Sequence, residues 1–449
     1  MTTTQELFQL GVSEIAEAIA KGELSPSQVV ESFISRIDAL EGRVSAWSYL
    51  DIEGSRSQAA ELTAEAAAGK LRGPLHGVPV GIKDEFHVQD MPTAMMGEGA
   101  LPQNEDATPV ARLRAAGAII MGKTFMPVEG KMPPTRNPWN LEHTAGGTSS
   151  GSGAAVGARM VPVALGEQTA GSNLRPAAYC GVSALKPTYG RISRFGCYPF
   201  AWSFDHVGII GLSMQDIALV FSVIAGPDPK DPTTLALPVP PADIRVDGLR
   251  PPRIGVVRNF FPERTQPVMQ DAIEKAVAGF REVGGEVQDI MLPKEFGLTW
   301  HAHKLISGAE GATFNARRMA AGPRGGGGFG FANRELGSLI PSTYYLQAQR
   351  VRRWLHTHLQ ELFKDVDSLL MPTAPGPAPR GLETTGDASL LVPWSFLGYP
   401  AISVSGGLSP DGLPLGLQLV AAPLAEQSLL EVGAWCEKVL GQLPAPPLA

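Results

Sequence analysis

His143 to Tyr189 reads HTAGGTSSGSGAAVGARMVPVALGEQTAGSNLRPAAYCGVSALKPTY, and the reading of this stretch decides the fold. It holds two turns rich in glycine and hydroxyl residues, Gly146 to Gly153 and Thr169 to Ser172. Between them lie a small-residue helix pattern (Ala154, Ala155, Val156, Ala158) and an apolar strand-like run from Val161 to Leu165. Glycine at such density marks backbone that adopts conformations closed to other residues, or that lies against a neighbour with no side chain between. Turns of this kind suit a site where backbone N–H groups converge on an oxyanion beside a nucleophilic serine.

Four other readings bear on the same residues. Gly147-Thr148-Ser149-Ser150-Gly151 satisfies G-x-S-x-G, which would make Ser149 the nucleophile of an elbow, but an elbow follows an apolar strand and NPWNLEHTA is not one. A phosphate-cradling loop lacks its G-K-[ST] ending here. A flexible linker does not need the apolar segments that follow it closely. For Ser172 the plainer reading is a turn hydroxyl or helix cap.

The stretch resembles the signature of the amidase signature family, serine hydrolases that cleave amides through a Ser, cis-Ser, Lys triad. The first turn is similar to the family's G-G-S-S-G-G-S and the second to D-T-G-G-S. Pro176 and Cys180 to Thr188 follow as in the family's C-G-x-x-G-x-K-P-T, and the likeness covers nearly the whole chain. The resemblance implies that Ser172 is the acylated nucleophile. It puts Thr148, 24 residues earlier, at the bridging position, with a cis peptide from Gly147, and puts Lys83 of HGVPVGIKDEF at the base. The backbone N–H groups of Thr169, Ala170 and Gly171 match the family's oxyanion loop. Ser149 is the neighbouring hydroxyl, expected at the substrate and as the alternative bridge. The chain departs from the pattern at Thr148, where a β-branched hydroxyl replaces serine and stiffens the side chain, and at Gln168, which replaces aspartate.

Composition narrows the class. A chain of 449 residues with 44% hydrophobic and 18% charged residues is globular and long enough for a large core. A net charge of −7, without a Lys/Arg cluster, offers no footprint for nucleic acid. Three cysteines, Cys180, Cys197 and Cys436, fit a reducing compartment better than a disulfide framework. There is no basic segment leading into an apolar N-terminal core and no run approaching a membrane span, so a cytoplasmic protein without membrane contact is expected.

Residues 1–72 read as a helical layer. Ser25, Pro26 and Gln28 make a capped start, and Val29, Val30, Phe33, Ile34, Ile37 and Leu40 then recur at helical spacing. Leu75 to Lys83 shifts to a strand pattern. A surface lysine is the bland reading of Lys83; in a central strand, burial would instead lower its pKa from about 10.4 towards neutrality and make it a base. Asp205 and His206 are adjacent, which favours a structural hydrogen-bonding pair over a triad. Arg253 to Val257, an amphipathic helix, and Glu286 to Leu292 form a β-α-β pattern. The pairs His301/His303 and His356/His358 lie in helical patterns that throw them apart, so no metal and no cofactor are expected. Gly322 to Gly330 reads as a loop, either a lid or an exposed insertion. Arg350 or Arg353 could read a substrate carboxylate, against the plainer reading of a solvated basic face.

The expected architecture is α/β, one large domain with a mixed central sheet covered by helices on both faces. The core spans residues 73–442 and residues 443–449 form a disordered tail. The expected activity is hydrolysis of a small-molecule amide through a Ser172 acyl-enzyme, with a homodimer as the candidate assembly. A glutaminase-type subunit of a tRNA-dependent amidotransferase and a non-catalytic binding relative are the alternatives.

Overall fold

The computed structural model describes residues 4–93, 104–128, 131–244, 250–320 and 336–448. Eleven strands form one mixed sheet. In chain order these are β1 (Trp47–Leu50), β2 (Pro79–Lys83) and β3 (Ile119–Thr124), then, after a separate two-stranded ribbon of β4 (Arg136–Asn137) and β5 (Asn140–Thr144), β6 (Val163–Gln168), β7 (Ser183–Lys186) and β8 (His206–Gly211). The rest are β9 (Arg253–Val257), β10 (Glu286–Ile290), β11 (Ser368–Pro372), β12 (Ala401–Leu408) and β13 (Pro414–Val420). The order across the sheet is β1-β3-β2-β6-β8-β7-β12-β13-β11-β9-β10.

The strands β2, β3, β6 and β8 are buried at every residue, as strands covered on both faces must be. Alternation along them sorts their side chains into two cores. Val80, Ile82, Ile120, Val163, Leu165 and Ile209 enter one cluster. Ile119, Met121, Ala164 and Ile210 enter the other. The helix Pro26–Val44 starts at the Ser25 capping box read from sequence and gives residues to both clusters. The β-α-β unit forms as expected, with the helix Pro267–Glu282 joining parallel β9 and β10.

Some segments differ from expectation. The first glycine turn is half helix, because Ser150–Gly157 is helical and wholly buried. A Cβ on Gly151 would lie 2.4 Å from the Ala46 carbonyl oxygen, and one on Gly153 would lie 2.8 Å from Pro176 Cβ. The glycines there permit backbone to pack on backbone, which suits helix as well as turn. The tail expected to be disordered over residues 443–449 is anchored at Leu448, which is buried and whose carbonyl accepts from Arg43 of the helix Pro26–Val44. The Gly322 to Gly330 segment lies outside the described residues.

Candidate active site

β2 and β6 run parallel side by side, Ile82 opposite Leu165, so both deliver their C-terminal residues to the same edge. β2 ends at Lys83 and β6 at Glu167 and Gln168. Lys83 is fully buried, not a surface lysine. Its Nζ donates to Thr148 Oγ1 at 2.7 Å. It also faces Glu85 Oε1 at 3.1 Å and Glu167 Oε2 at 3.4 Å.

The two glycine turns meet directly. The N–H of Ser149 donates to the carbonyl of Ser172 at 3.1 Å, and the N–H of Gly147 donates to the Thr385 carbonyl at 2.9 Å. A Cβ on Gly147 would lie 2.5 Å from Pro176 Cδ and 3.0 Å from the Ser172 carbonyl, at a φ of +62°. The expected cis peptide before Thr148 does not form: no cis bond occurs among the described residues, and positive φ at Gly146 and Gly147 makes the turn instead. Ser172 is buried, 9% exposed. Among the described residues its hydroxyl makes no hydrogen bond, so the Ser172 to Thr148 link is open at rest.

The loop from Thr169 to Gly171 is held by its carbonyls. His303 Nε2 lies 3.1 Å from the Thr169 oxygen, and Ser395 Oγ donates to the Ala170 oxygen at 2.8 Å. The Thr169, Ala170 and Gly171 N–H groups have no acceptor among the described residues, the condition an anionic oxygen would exploit. Gln168 organises the next turn. Its Oε1 accepts from the N–H groups of Asn173 and Leu174, both at 3.0 Å, at the start of the short helix Leu174–Cys180, and its Nε2 donates to Ser395. Asparagine or serine usually caps from within the chain; here a glutamine reaches in from the preceding strand.

Two expected substrate residues lie elsewhere. Ser149 is fully buried and bridges the Glu167 backbone, accepting from its N–H at 3.2 Å. Arg350 is exposed on the helix Ser342–Leu359 and touches Gln347 at 3.5 Å. Two residues further on, Arg352 turns inward, donates to the Ser203 carbonyl and covers the rings of Phe204 and Phe396. Residues two apart on a helix face different ways, and the sequence alone does not say which arginine faces in.

Electrostatics reverse one expectation. Burial alone would push the Lys83 pKa down, but the carboxylates of Glu85 and Glu167 outweigh it and raise the pKa. Burial pushes both carboxyls up to about 7 against the pull of Lys83. Asp205 is likewise pushed to about 7, by burial and then by the charge of Glu167. Asp205 accepts from the N–H groups of Phe200 and Ala201 and touches Thr169 Oγ1; His206 bonds Phe204 and Gln168 carbonyls, so the two are not a catalytic pair. Burial drops His303 to about 4, so it donates as neutral imidazole while stacked on Phe204 at 4.7 Å. A cavity of about 200 Å³ lined by Arg194, Cys197, Trp202, Asp205 and Lys230 adjoins this cluster, without Lys83 or Ser172 in its lining. No group of three metal-ligating side chains occurs among the described residues, and no described helix is long and apolar enough to cross a membrane.

Sequence reasoning does not single out Glu85, Glu167 or Ser395, and weighs His303 only as half of a histidine pair. The first two flank recognisable residues, Lys83 and Gln168, and an acidic residue beside a buried lysine is the available signal. Ser395 comes from a distant segment and carries none, and the His301/His303 pair gives no sign of the Thr169 contact that His303 makes.

The family model described as Amidase matches residues 28–430. A glutamyl-tRNA(Gln) amidotransferase chain from Roseiflexus castenholzii, one of that enzyme's subunits, is 38% identical over 96% of both chains. Its counterpart from Anaeromyxobacter sp. (strain K) is 36% identical over 99% of both. Among solved structures, one described as a vestigial protein complex that reveals the origins of an s-triazine catabolic enzyme superposes with a TM-score of 0.89. It is 32% identical and covers 97% of this chain and 100% of that one. Native peptide amidase from Stenotrophomonas maltophilia superposes with a TM-score of 0.86 at 28% identity, covering 99% of each chain.

Proposed function

The chain belongs to the amidase signature family, and from that premise we propose that it hydrolyses the C–N bond of a small amide through an acyl-enzyme on Ser172. The observation that carries this reading is the 2.7 Å contact of buried Lys83 with Thr148, on a turn tied through Ser149 to Ser172. Ser172 attacks the amide carbonyl while its proton passes to Thr148 and on towards Lys83. The Thr169, Ala170 and Gly171 N–H groups stabilise the oxyanion, and each such donor is worth roughly 3 kcal/mol. The proton returns through Thr148 to the leaving amine, and water releases the acid. Thr148 serves in place of serine because its hydroxyl has the same donor and acceptor capacity.

An ammonia-release screen of small amides, aryl amides and carboxylated ureas tests the reading, with Ser172→Ala as control. Release that persists in Ser172→Ala, or labelling of another residue by a fluorophosphonate, overturns it. Linear and cyclic amides both belong in the screen, because 6-aminohexanoate cyclic dimer hydrolase shares the fold with a TM-score of 0.85 at 27% identity.

A second reading has a specific observation behind it. The relatives at 36–38% identity are amidotransferase subunits, so a glutaminase that works with partner proteins fits the same site. Glutamine hydrolysis that appears only when partner proteins are added would select it; turnover of another amide by the isolated chain would select the first.

A further inference from the structure

The surroundings of Lys83 hold more acid than a simple lysine base needs. Its nitrogen has three oxygen neighbours, Thr148 at 2.7 Å, Glu85 at 3.1 Å and Glu167 at 3.4 Å, one for each N–H of an ammonium. Glu85 is fully buried, and Lys83, at 3.1 Å, is its one ion-pair partner among the described residues. Glu167 is tied at its other oxygen to Thr169 Oγ1 at 3.0 Å, and that hydroxyl also lies 2.8 Å from Asp205 Oδ1. A hydroxyl has a single proton to give. Both contacts are hydrogen bonds only if one of the two carboxyls is itself protonated and donates to Thr169.

We propose that Glu85 and Glu167 are positioning residues that store the proton of the relay: Lys83 rests as the ammonium and passes a proton to one of these carboxylates as it takes the proton of Thr148. This rests on the Ser172 reading above and extends it. On attack, the Ser172 hydroxyl proton moves to Thr148, the Thr148 proton to Lys83 Nζ, and a Lys83 proton to a carboxylate oxygen. When the amine leaves, the three transfers reverse and the carboxylate is restored. Only O–H and N–H bonds change besides those of the acyl transfer, and the count of protons closes.

The charged groups around the cluster agree with this. Asp205 faces it through Thr169, and Asp84 is occupied by Lys123 at 2.9 Å. The Cys197 thiol is pushed up by burial and then by Glu85, so it stays neutral. Lys83 is raised by the facing carboxylates and burial pushes the two carboxyls up to about 7, so the lysine rests as the ammonium and burial makes both carboxylates better proton acceptors than exposed ones.

The test reads the rate at which a fluorophosphonate labels Ser172, as a function of pH, in the wild type, E85Q, E167Q and E85Q/E167Q. The store predicts labelling at neutral pH slowed about tenfold in each single variant and about a hundredfold in the double one. A lysine acting alone predicts the opposite, because stripping its carboxylates lowers its pKa: equal or faster labelling with the acid limb displaced downwards overturns the inference. E85Q keeps the side chain's size and an amide oxygen facing Lys83, and serves if E167Q does not fold. Infrared difference spectra, wild type minus E85Q, should show an ionised-carboxylate band at neutral pH, also in the Ser172→Ala background, because the acceptor must be ionised at rest. Absence of that band overturns the inference whatever the kinetics. A wild type that takes no label overturns the Ser172 reading instead.

Discussion

Ser149 donates its N–H to the carbonyl of Ser172 across 3.1 Å, so two turns on either side of a helix and a strand are one hydrogen-bonded piece of backbone. The piece closes because Gly147 has no Cβ to meet Pro176 Cδ, 2.5 Å away, and takes a φ of +62°. Gly147→Ala should therefore lose roughly 2 kcal/mol or more of stability, from strain and overpacking, and should slow labelling of Ser172. Denaturant unfolding and the labelling rate check the two halves.

The relay makes a graded prediction. Ser172→Ala should remove activity by roughly four to six orders of magnitude with the fold intact. Thr148→Ser should keep most of it, whereas Thr148→Val, equal in shape but without a hydroxyl for Lys83, should lose about a hundredfold or more in kcat. Steady-state kinetics with equal thermal midpoints would separate chemistry from folding.

Gln168 holds two helix N–H groups and Ser395 at once. Gln168→Ala should cost about 1–2 kcal/mol, the scale of a lost helix cap, and should lower kcat more than it raises KM because Ser172 lies inside that turn. Chemical denaturation alongside kinetics measures both.

Arg350 and Arg352 should behave differently although they share a helix. Arg350→Ala should leave stability within about 0.5 kcal/mol and activity unchanged, as for any exposed substitution. Arg352→Ala strips the cover from Phe204, on which His303 stacks, and should destabilise by about 1–3 kcal/mol. Thermal and denaturant melts of both variants decide it.

Glu437 accepts from Ser183 and the Met214 N–H, and burial raises its pKa from 4.5 to about 7. Its folded state binds the proton more tightly than the unfolded chain, so its contribution is complete below pH 4.5 and is lost as pH rises through about 7. Lys186, lowered to about 7, is charged in both states below that pH and adds no slope in this window. The unfolding midpoint should fall over the window, and Glu437→Gln should flatten the fall.

Much of the fold is legible in the chain itself, and the reasons are local. The Ser25 capping box, the β2 alternation and the second glycine turn are short-range patterns whose physics lies within a few residues, and each is found where its residues put it. Lys83 is harder: its identity is legible but its charge is not, since burial lowers its pKa while Glu85, two residues on, and Glu167, 84 residues away in sequence, raise it. The same limit hides Arg352 behind Arg350, because orientation about a helix axis is set by what packs against it. Leu448 illustrates it too, as its shelter comes from the layer around Arg43.

Lys83 and Glu167 stand at the ends of neighbouring strands, whereas what surrounds them and the Thr169 loop arrives from later parts of the chain: His303, Thr385 and Ser395. Heredity can therefore redraw the enclosure while leaving the engine alone. One inherited frame is then free to take different substrates by exchanging borrowed walls, and enzymes named for peptides and for a cyclic dimer share that frame.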